Sequence, residues 1–245
     1  MQNEFDVDWM TKNGIWFCNT INAVAEATAD MAIFLTLAVL RNTTVAERQA
    51  RNGSWKAGIV PAKDPGGLTL GIVGAGAIGK YMAVKAKVFN MKVAYHNRRQ
   101  LSKEDEEKYS LTYYPELSDL LAISDVVSVN CPLNKETTGL ISYDQFAAMK
   151  DGAFLVNTAR GPVVDEQALI QALESGKITR AGLDVFDNEP KINDYFKTSD
   201  KVVLQPHMGG LTDLAFQKSE QECFDNVRSL FKTGRPVAPV NEVKK

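Results

Sequence analysis

The sequence predicts an α/β fold built on a doubly wound, mostly parallel sheet. Three observations carry that expectation. From residue 68 onward, short apolar runs alternate with helical stretches, which is the pattern of βα units. One strand-to-helix junction holds a glycine turn, Gly74-Ala-Gly76-Ala-Ile-Gly79. The 245 residues, 44% hydrophobic and 24% charged, supply enough chain for one large or two small globular domains.

In chain order, residues 15–18 read as a strand. Asn22 stands where a helix N-cap would be, with Glu26 in the first turn, and a long helix is expected to run to about Gly53. The middle of that helix, residues 31–40, is apolar on several faces, with Met31, Leu35 and Val39 on one side and Ile33, Phe34, Leu37 and Leu40 spread over others. One core should not cover all of these, so the helix is expected to lie between two layers of its own chain or to pack on a second subunit in a homodimer. Residues 53–67, with Gly, Pro and Lys, read as an extended loop. Strands are expected at 68–73, 92–95, 126–129, 153–156, 181–185 and 202–204, and helices around 78–89, 115–122, 143–149 and 165–174. A helix over 212–232 closes the chain, followed by a polar tail.

Composition excludes several classes. Lys+Arg 28 against Asp+Glu 30 leaves a net charge of -2, so there is no basic excess to neutralise a phosphate backbone and no nucleic acid partner is expected. Cys18, Cys131 and Cys223 are odd in number and far apart, which suits neither a disulfide framework nor a metal site and points to a reducing, cytoplasmic setting. The apolar run 31–40 is half the length needed to cross a bilayer, and Glu4, Asp6 and Asp8 stand where a signal peptide would be basic, so no membrane partner is expected.

The glycine turn carries the first functional expectation. Gly74 permits the tight turn, Gly76 leaves room for a pyrophosphate to approach the backbone, and Gly79 lets the helix pack on the strand, as in a Rossmann-type dinucleotide site. The stretch Gly74 to Lys80 also approaches a nucleoside triphosphate loop, but Tyr81 stands where Ser or Thr would hold magnesium. About twenty residues on, Tyr95-His96-Asn97-Arg98-Arg99 lacks the acid that an NAD enzyme uses to bind the ribose 2'-hydroxyl. Asn97 is neutral and Arg98 can pair with a 2'-phosphate, so NADP is expected over NAD.

Further motifs carry a resemblance. Val24-Ala-Glu-Ala-Thr-Ala-Asp30, the glycine turn, Asn157-Thr-Ala-Arg160-Gly161, Gly182-Leu-Asp-Val-Phe-Asp-Asn-Glu189-Pro190 and Gln205-Pro-His207-Met-Gly-Gly210 resemble, in order and spacing, the D-isomer-specific 2-hydroxyacid dehydrogenases over residues 5–241. The run from Tyr95 to Arg99 is similar to that of glyoxylate/hydroxypyruvate reductases, which mostly use NADPH. The resemblance implies two doubly wound domains with a cleft between them. It implies that Arg160 grips a 2-oxo acid, that Glu189 holds and charges an imidazole, and that His207 moves the proton. Ala77 and Ile78 would lie at the pyrophosphate, Asn97, Arg98 and Arg99 at the adenosine ribose, and Cys131 and Pro132 under the adenosine half. Thr158 and Asp184 would lie near the nicotinamide end, with Ala159 and Gly209 completing the cofactor contacts. The residue types suit that chemistry, since hydride arriving at a ketone leaves charge on oxygen that a histidinium can protonate and a guanidinium can stabilise.

Members of that family usually begin with half of a substrate domain, ending in a glycine-rich loop just before the stretch seen here as Phe5-Asp-Val-Asp8. The expected organisation is therefore a remnant of a flavodoxin-like substrate domain at 1–18, an NAD(P)-binding domain at 19–211, and a helix and tail at 212–245 that return to the substrate domain. The expected activity is NADPH-dependent reduction of small 2-oxo acids, glyoxylate and hydroxypyruvate. The competing expectation is a non-catalytic dinucleotide-binding protein, like the corepressor relatives of the family, or an inactive fragment. Formate oxidation is disfavoured, because that branch carries an amide in place of Glu189.

Overall fold

The computed structural model describes residues 5–243, so residues 1–4 and 244–245 of the expected terminal segments, Glu4 among them, lie outside the described residues. The chain divides into two compact units, one of Thr28–Gly209 and one of the segments up to Ala27 and from Gly210 onward.

The larger unit holds seven strands, β1 (Thr69–Val73), β2 (Lys92–His96), β3 (Thr112–Tyr113), β4 (Val126–Val129), β5 (Ala153–Asn157), β6 (Ile178–Leu183) and β7 (Val202–Leu204). They pair in parallel in the order β3-β2-β1-β4-β5-β6-β7. The chain winds outward from β1 to β3, then restarts on the other side of β1 at β4, which makes a topological switch point between β1 and β4. Register fixes where the strands end. Val73 pairs with His96 and Val129, Val129 with Asn157, Asn157 with Leu183, and Leu183 with Leu204. The glycine turn, Asn97, Cys131, Thr158 and Asp184 therefore all leave the sheet from one edge, the edge where ligands bind in open α/β sheets.

Both faces of the sheet are covered, as β strands buried on two sides require. One core cluster joins the sheet to α6 (Leu117–Ile123), α7 (Tyr143–Ala148) and α8 (Glu166–Ser175) through Leu120, Leu121, Phe146, Leu169 and Leu173. The other joins it to α2 (Ala25–Arg41) and α4 (Ala77–Val88) through Leu35, Val39, Met82 and Ala83. The helix α2 lies so close to β6 that a Cβ on Gly182 would stand 2.9 Å from the Cβ of Leu35. Two further helices on this unit, α5 (Lys103–Tyr109) and α9 (Asp194–Thr198), follow β2 and precede β7.

The structure corrects three expectations. The long helix does not run to Gly53. It breaks at Asn42, whose φ of 55° is left-handed, and α2 gives way to α3 (Thr43–Arg51) with a bend of 68°. Asparagine is one of the few residues that tolerate that region, which is why the break needs no glycine. Asn22 is not the N-cap either, since α2 starts at Ala25, whose N–H reaches only the Asn22 carbonyl at 3.1 Å. Residues 15–18 form no strand beyond a single bridge from Cys18 to Pro239. The apolar middle of α2 is mostly covered by its own unit: Ala32, Ile33, Leu35, Ala38, Val39 and Leu40 are buried and Phe34 is 49% exposed. No single helix among the described residues is long and apolar enough to cross a membrane.

The smaller unit contains α1 (Val7–Lys12) and α10 (Asp213–Thr233). Two buried asparagines tie its segments. Asn226 donates to the Asn19 carbonyl and accepts from the Ala238 N–H, and Asn241 accepts from the Phe17 N–H and donates to the Ile15 carbonyl. Burying an amide is costly unless its polar atoms are paired, and here they are.

Candidate active site and dinucleotide cradle

The cradle is built by backbone. Gly74 sits at φ +99°, and a Cβ there would meet the Cys131 nitrogen at 2.7 Å; one on Gly79 would meet the Gly74 oxygen at 2.9 Å. Gly76 has nothing within 4 Å of such a Cβ, so open space lies in front of its backbone. As the N-cap of α4 it offers no side-chain cap, which leaves the first-turn N–H groups, those of Ala77 and Ile78 among them, with the positive end of the helix dipole. This concavity fits the pyrophosphate of a dinucleotide. Lys80 turns away from it, to Asp105 at 2.7 Å and over the Tyr109 ring, so it is not the phosphate-binding lysine of a triphosphate loop.

The end of β2 departs from the simple expectation. Asn97 Oδ1 accepts the Ala75 N–H at 2.7 Å, so this acceptor pins the glycine turn to the neighbouring strand. Arg98 is exposed and forms an ion pair with Glu136, and Arg99 is exposed beside it. Glu136 lies in a different loop, after β4, so sequence spacing gives no sign of this pairing. His96 holds the Tyr114 carbonyl through Nδ1 at 3.0 Å, a structural role. Across the switch point, burial pushes the Cys131 thiol up to about 11, so it is a neutral filler under the glycine turn. Pro132 accepts the Thr137 hydroxyl through its carbonyl at 2.6 Å.

At the end of β5, Asn157 shapes the turn that carries Arg160: its Oδ1 accepts the Ala159 N–H at 3.0 Å and its Nδ2 donates to the Arg160 carbonyl at 3.1 Å. Thr158 is buried and donates to Asn130 Oδ1 at 3.3 Å. The Arg160 side chain is exposed, with Nη1 donating to the Ala159 carbonyl at 2.6 Å. Next to it the backbone of Gly161 abuts the loop after β6, where a Cβ would fall 1.8 Å from the Phe186 carbonyl carbon. Asp187 of the same loop donates its N–H to Glu166 Oε1 at 3.0 Å, and burial raises the Glu166 pKa.

That loop presents Glu189. Its Oε1 accepts the Phe186 N–H at 2.9 Å and its Oε2 lies 2.7 Å from His207 Nδ1. His207 adopts φ 57°, an uncommon conformation that its surroundings impose. Its own N–H donates to the Asp184 carbonyl at 2.8 Å, while the Asp184 carboxylate accepts from Met208 at 2.7 Å and Gly209 at 2.8 Å. Burial raises the Asp184 pKa against the pull of those two N–H groups. Asp184 thus clamps the turn that carries His207, a role the sequence did not reveal. A cavity of about 260 Å³ beside the pair is lined by Phe186, Pro190, Ile192, Leu204 and Pro206. With Nδ1 engaged by a carboxylate, Nε2 is the imidazole atom left to exchange a proton with a ligand.

The family model described as D-isomer specific 2-hydroxyacid dehydrogenase, NAD binding domain, matches residues 33–209. A dehydrogenase, efuE, of Hormonema carpetanum is 67% identical over 241 residues, which are 98% of this chain and 60% of that protein. The crystal structure of a glyoxylate reductase from Paecilomyes thermophila superposes with a TM-score of 0.91 at 41% identity, covering 97% of this chain and 72% of that one. An NADPH-dependent glyoxylate/hydroxypyruvate reductase from Sinorhizobium meliloti superposes at 0.88 with 32% identity, covering 98% and 76%. The chain thus spans about three fifths to three quarters of the length of these relatives. It belongs to the D-isomer specific 2-hydroxyacid dehydrogenase family.

Proposed function

We propose that this chain carries the cofactor-binding and proton-transfer machinery of an NADPH-dependent reductase, which converts small 2-oxo acids such as glyoxylate and hydroxypyruvate to 2-hydroxy acids. The observation that carries the reading is the 2.7 Å contact between Glu189 Oε2 and His207 Nδ1. When bound, the reduced nicotinamide supplies a hydride to the carbonyl carbon of the acid. His207 gives a proton from Nε2 to the carbonyl oxygen as charge develops there, and Glu189 stabilises the imidazolium before the transfer. Arg160 pairs with the substrate carboxylate and, through its planar fork, can also reach the carbonyl oxygen. The N–H groups of Ala77 and Ile78 take the pyrophosphate, Cys131 and Pro132 form the floor of the adenosine half, and Thr158, Ala159, Asp184 and Gly209 line the nicotinamide half.

Preference for NADPH is supported by the absence of an acid at 97–99, by Arg98, and by the Sinorhizobium meliloti relative, whose NADPH dependence is part of its name. The protein would work in the cytoplasm, in keeping with three free cysteines. It would work as a homodimer through the exposed face of α2 around Phe34. Consumption of NADPH that depends on added glyoxylate tests the reading; NADPH binding without such turnover would favour a binding protein.

A further inference from the structure

Arg98 and Glu136 lie 38 residues apart in sequence, yet their side chains form an ion pair. Arg98 follows β2 and Glu136 follows β4, the two strands that flank β1, so the pair spans the mouth of the sheet on either side of the strand that feeds the glycine turn. Glu136 is not on a loose loop. Asn134 Oδ1 accepts the Glu136 N–H at 2.9 Å and the Thr137 N–H at 3.0 Å, and the Thr137 hydroxyl donates to the Pro132 carbonyl at 2.6 Å. This compact turn holds the carboxylate beside the arginine.

We propose that Glu136 is a specificity-determining residue that competes with the cofactor's 2'-phosphate for Arg98 and so limits the preference for NADPH over NADH. The inference rests on the proposed role of Arg98 as the 2'-phosphate partner. A phosphate brings about -1.5 to -2 charges and three acceptor oxygens, so it can displace a carboxylate from a guanidinium. Binding then breaks the existing pair and leaves a like charge next to the phosphate. A 2'-hydroxyl neither breaks the pair nor meets that repulsion. Arg98 and Glu136 side chains are 75% and 66% exposed, so the pair is solvent-screened and the effect on binding is modest, about three- to fivefold.

The experiment is a four-way comparison of NADPH and NADH dissociation constants by nucleotide fluorescence on the chain as it stands, with Glu136→Gln, Arg98→Met and the double variant. Glu136→Gln keeps the side-chain shape and the turn. It is expected to tighten NADPH by about three- to fivefold and to change NADH by less than about twofold. In the Arg98→Met background the same substitution is expected to lose most of its effect on NADPH. Three results overturn the proposal: no tightening of NADPH, equal tightening of both cofactors, or an effect of full size without Arg98. If Arg98→Met itself leaves NADPH binding unchanged, the assignment of Arg98 to the 2'-phosphate fails, and this inference fails with it. If Arg98→Met weakens NADPH while Glu136→Gln does nothing, only the inference fails.

Discussion

Glu189 divides its carboxylate between backbone and imidazole, with Oε1 on the Phe186 N–H at 2.9 Å and Oε2 2.7 Å from His207 Nδ1. One side chain therefore sets both the shape of its own loop and the orientation of the histidine. Glu189→Gln keeps an oxygen for Phe186 but removes the charge that stabilises an imidazolium. The expected outcome is a turnover number lower by about a hundredfold or more, with the NADPH dissociation constant within about twofold of the parent. Steady-state rates and fluorescence titration check both halves.

Cofactor choice should follow Arg98. Arg98→Asp replaces a phosphate partner with a ribose acceptor and adds repulsion against the 2'-phosphate. It also sets a second acid beside Glu136. NADH is expected to become the tighter ligand, and unchanged titrations for both cofactors would remove Arg98 from the site.

The sheet and the motifs of the candidate site were largely legible in the sequence, and the exceptions have physical causes. Buried parallel strands are short apolar runs, so five of the six expected strands match within a residue or two, and the sixth, expected at 181–185, is observed as Ile178–Leu183. The strand β3 is two residues at the sheet edge, Thr112 and Tyr113, too short to show a pattern. The helix α5 reads Lys-Glu-Asp-Glu-Glu-Lys-Tyr, with no buried residue and hence no apolar period. The break at Asn42 carries no Gly or Pro signal. Within the site, the glycine turn and the Glu189–His207 pair could be named because motif order carries them. The Asn97 bond to Ala75 and the Arg98 pair with Glu136 depend on strand register and loop approach, which one-dimensional spacing does not encode.

The exposed part of α2 makes an assembly prediction. Phe34 is 49% exposed among buried neighbours. If that face joins two chains, Phe34→Glu buries an unpaired charge at the interface and shifts sedimentation from dimer to monomer at micromolar concentration. A parent chain that already sediments as a monomer refutes the dimer.

At the opposite end of the strands, Asp125 accepts the Thr69 N–H at 2.8 Å through Oδ2 and the Lys150 ammonium at 2.8 Å through Oδ1. Burial pushes this carboxyl up, but Lys150 and Thr69 together hold it below the ordinary value of 3.8. Its stabilising contribution is therefore fully present above that value and is lost as pH falls through the lowered one. Asp125→Asn should cost about 1 kcal/mol at neutral pH, and the gap in denaturation midpoint should close as pH falls below the ordinary carboxylate range. A gap that persists in acid would mean the charge is not what stabilises this corner.

The most direct test is the initial rate of NADPH oxidation on addition of glyoxylate, measured for the parent chain and for His207→Gln, with NADPH affinity determined for each. The account predicts a glyoxylate-dependent rate in the parent that falls by about a hundred- to ten-thousandfold in the variant, while the cofactor binds both equally well. Equal rates in the two chains, or tight NADPH binding with no glyoxylate-dependent oxidation in the parent, would contradict it.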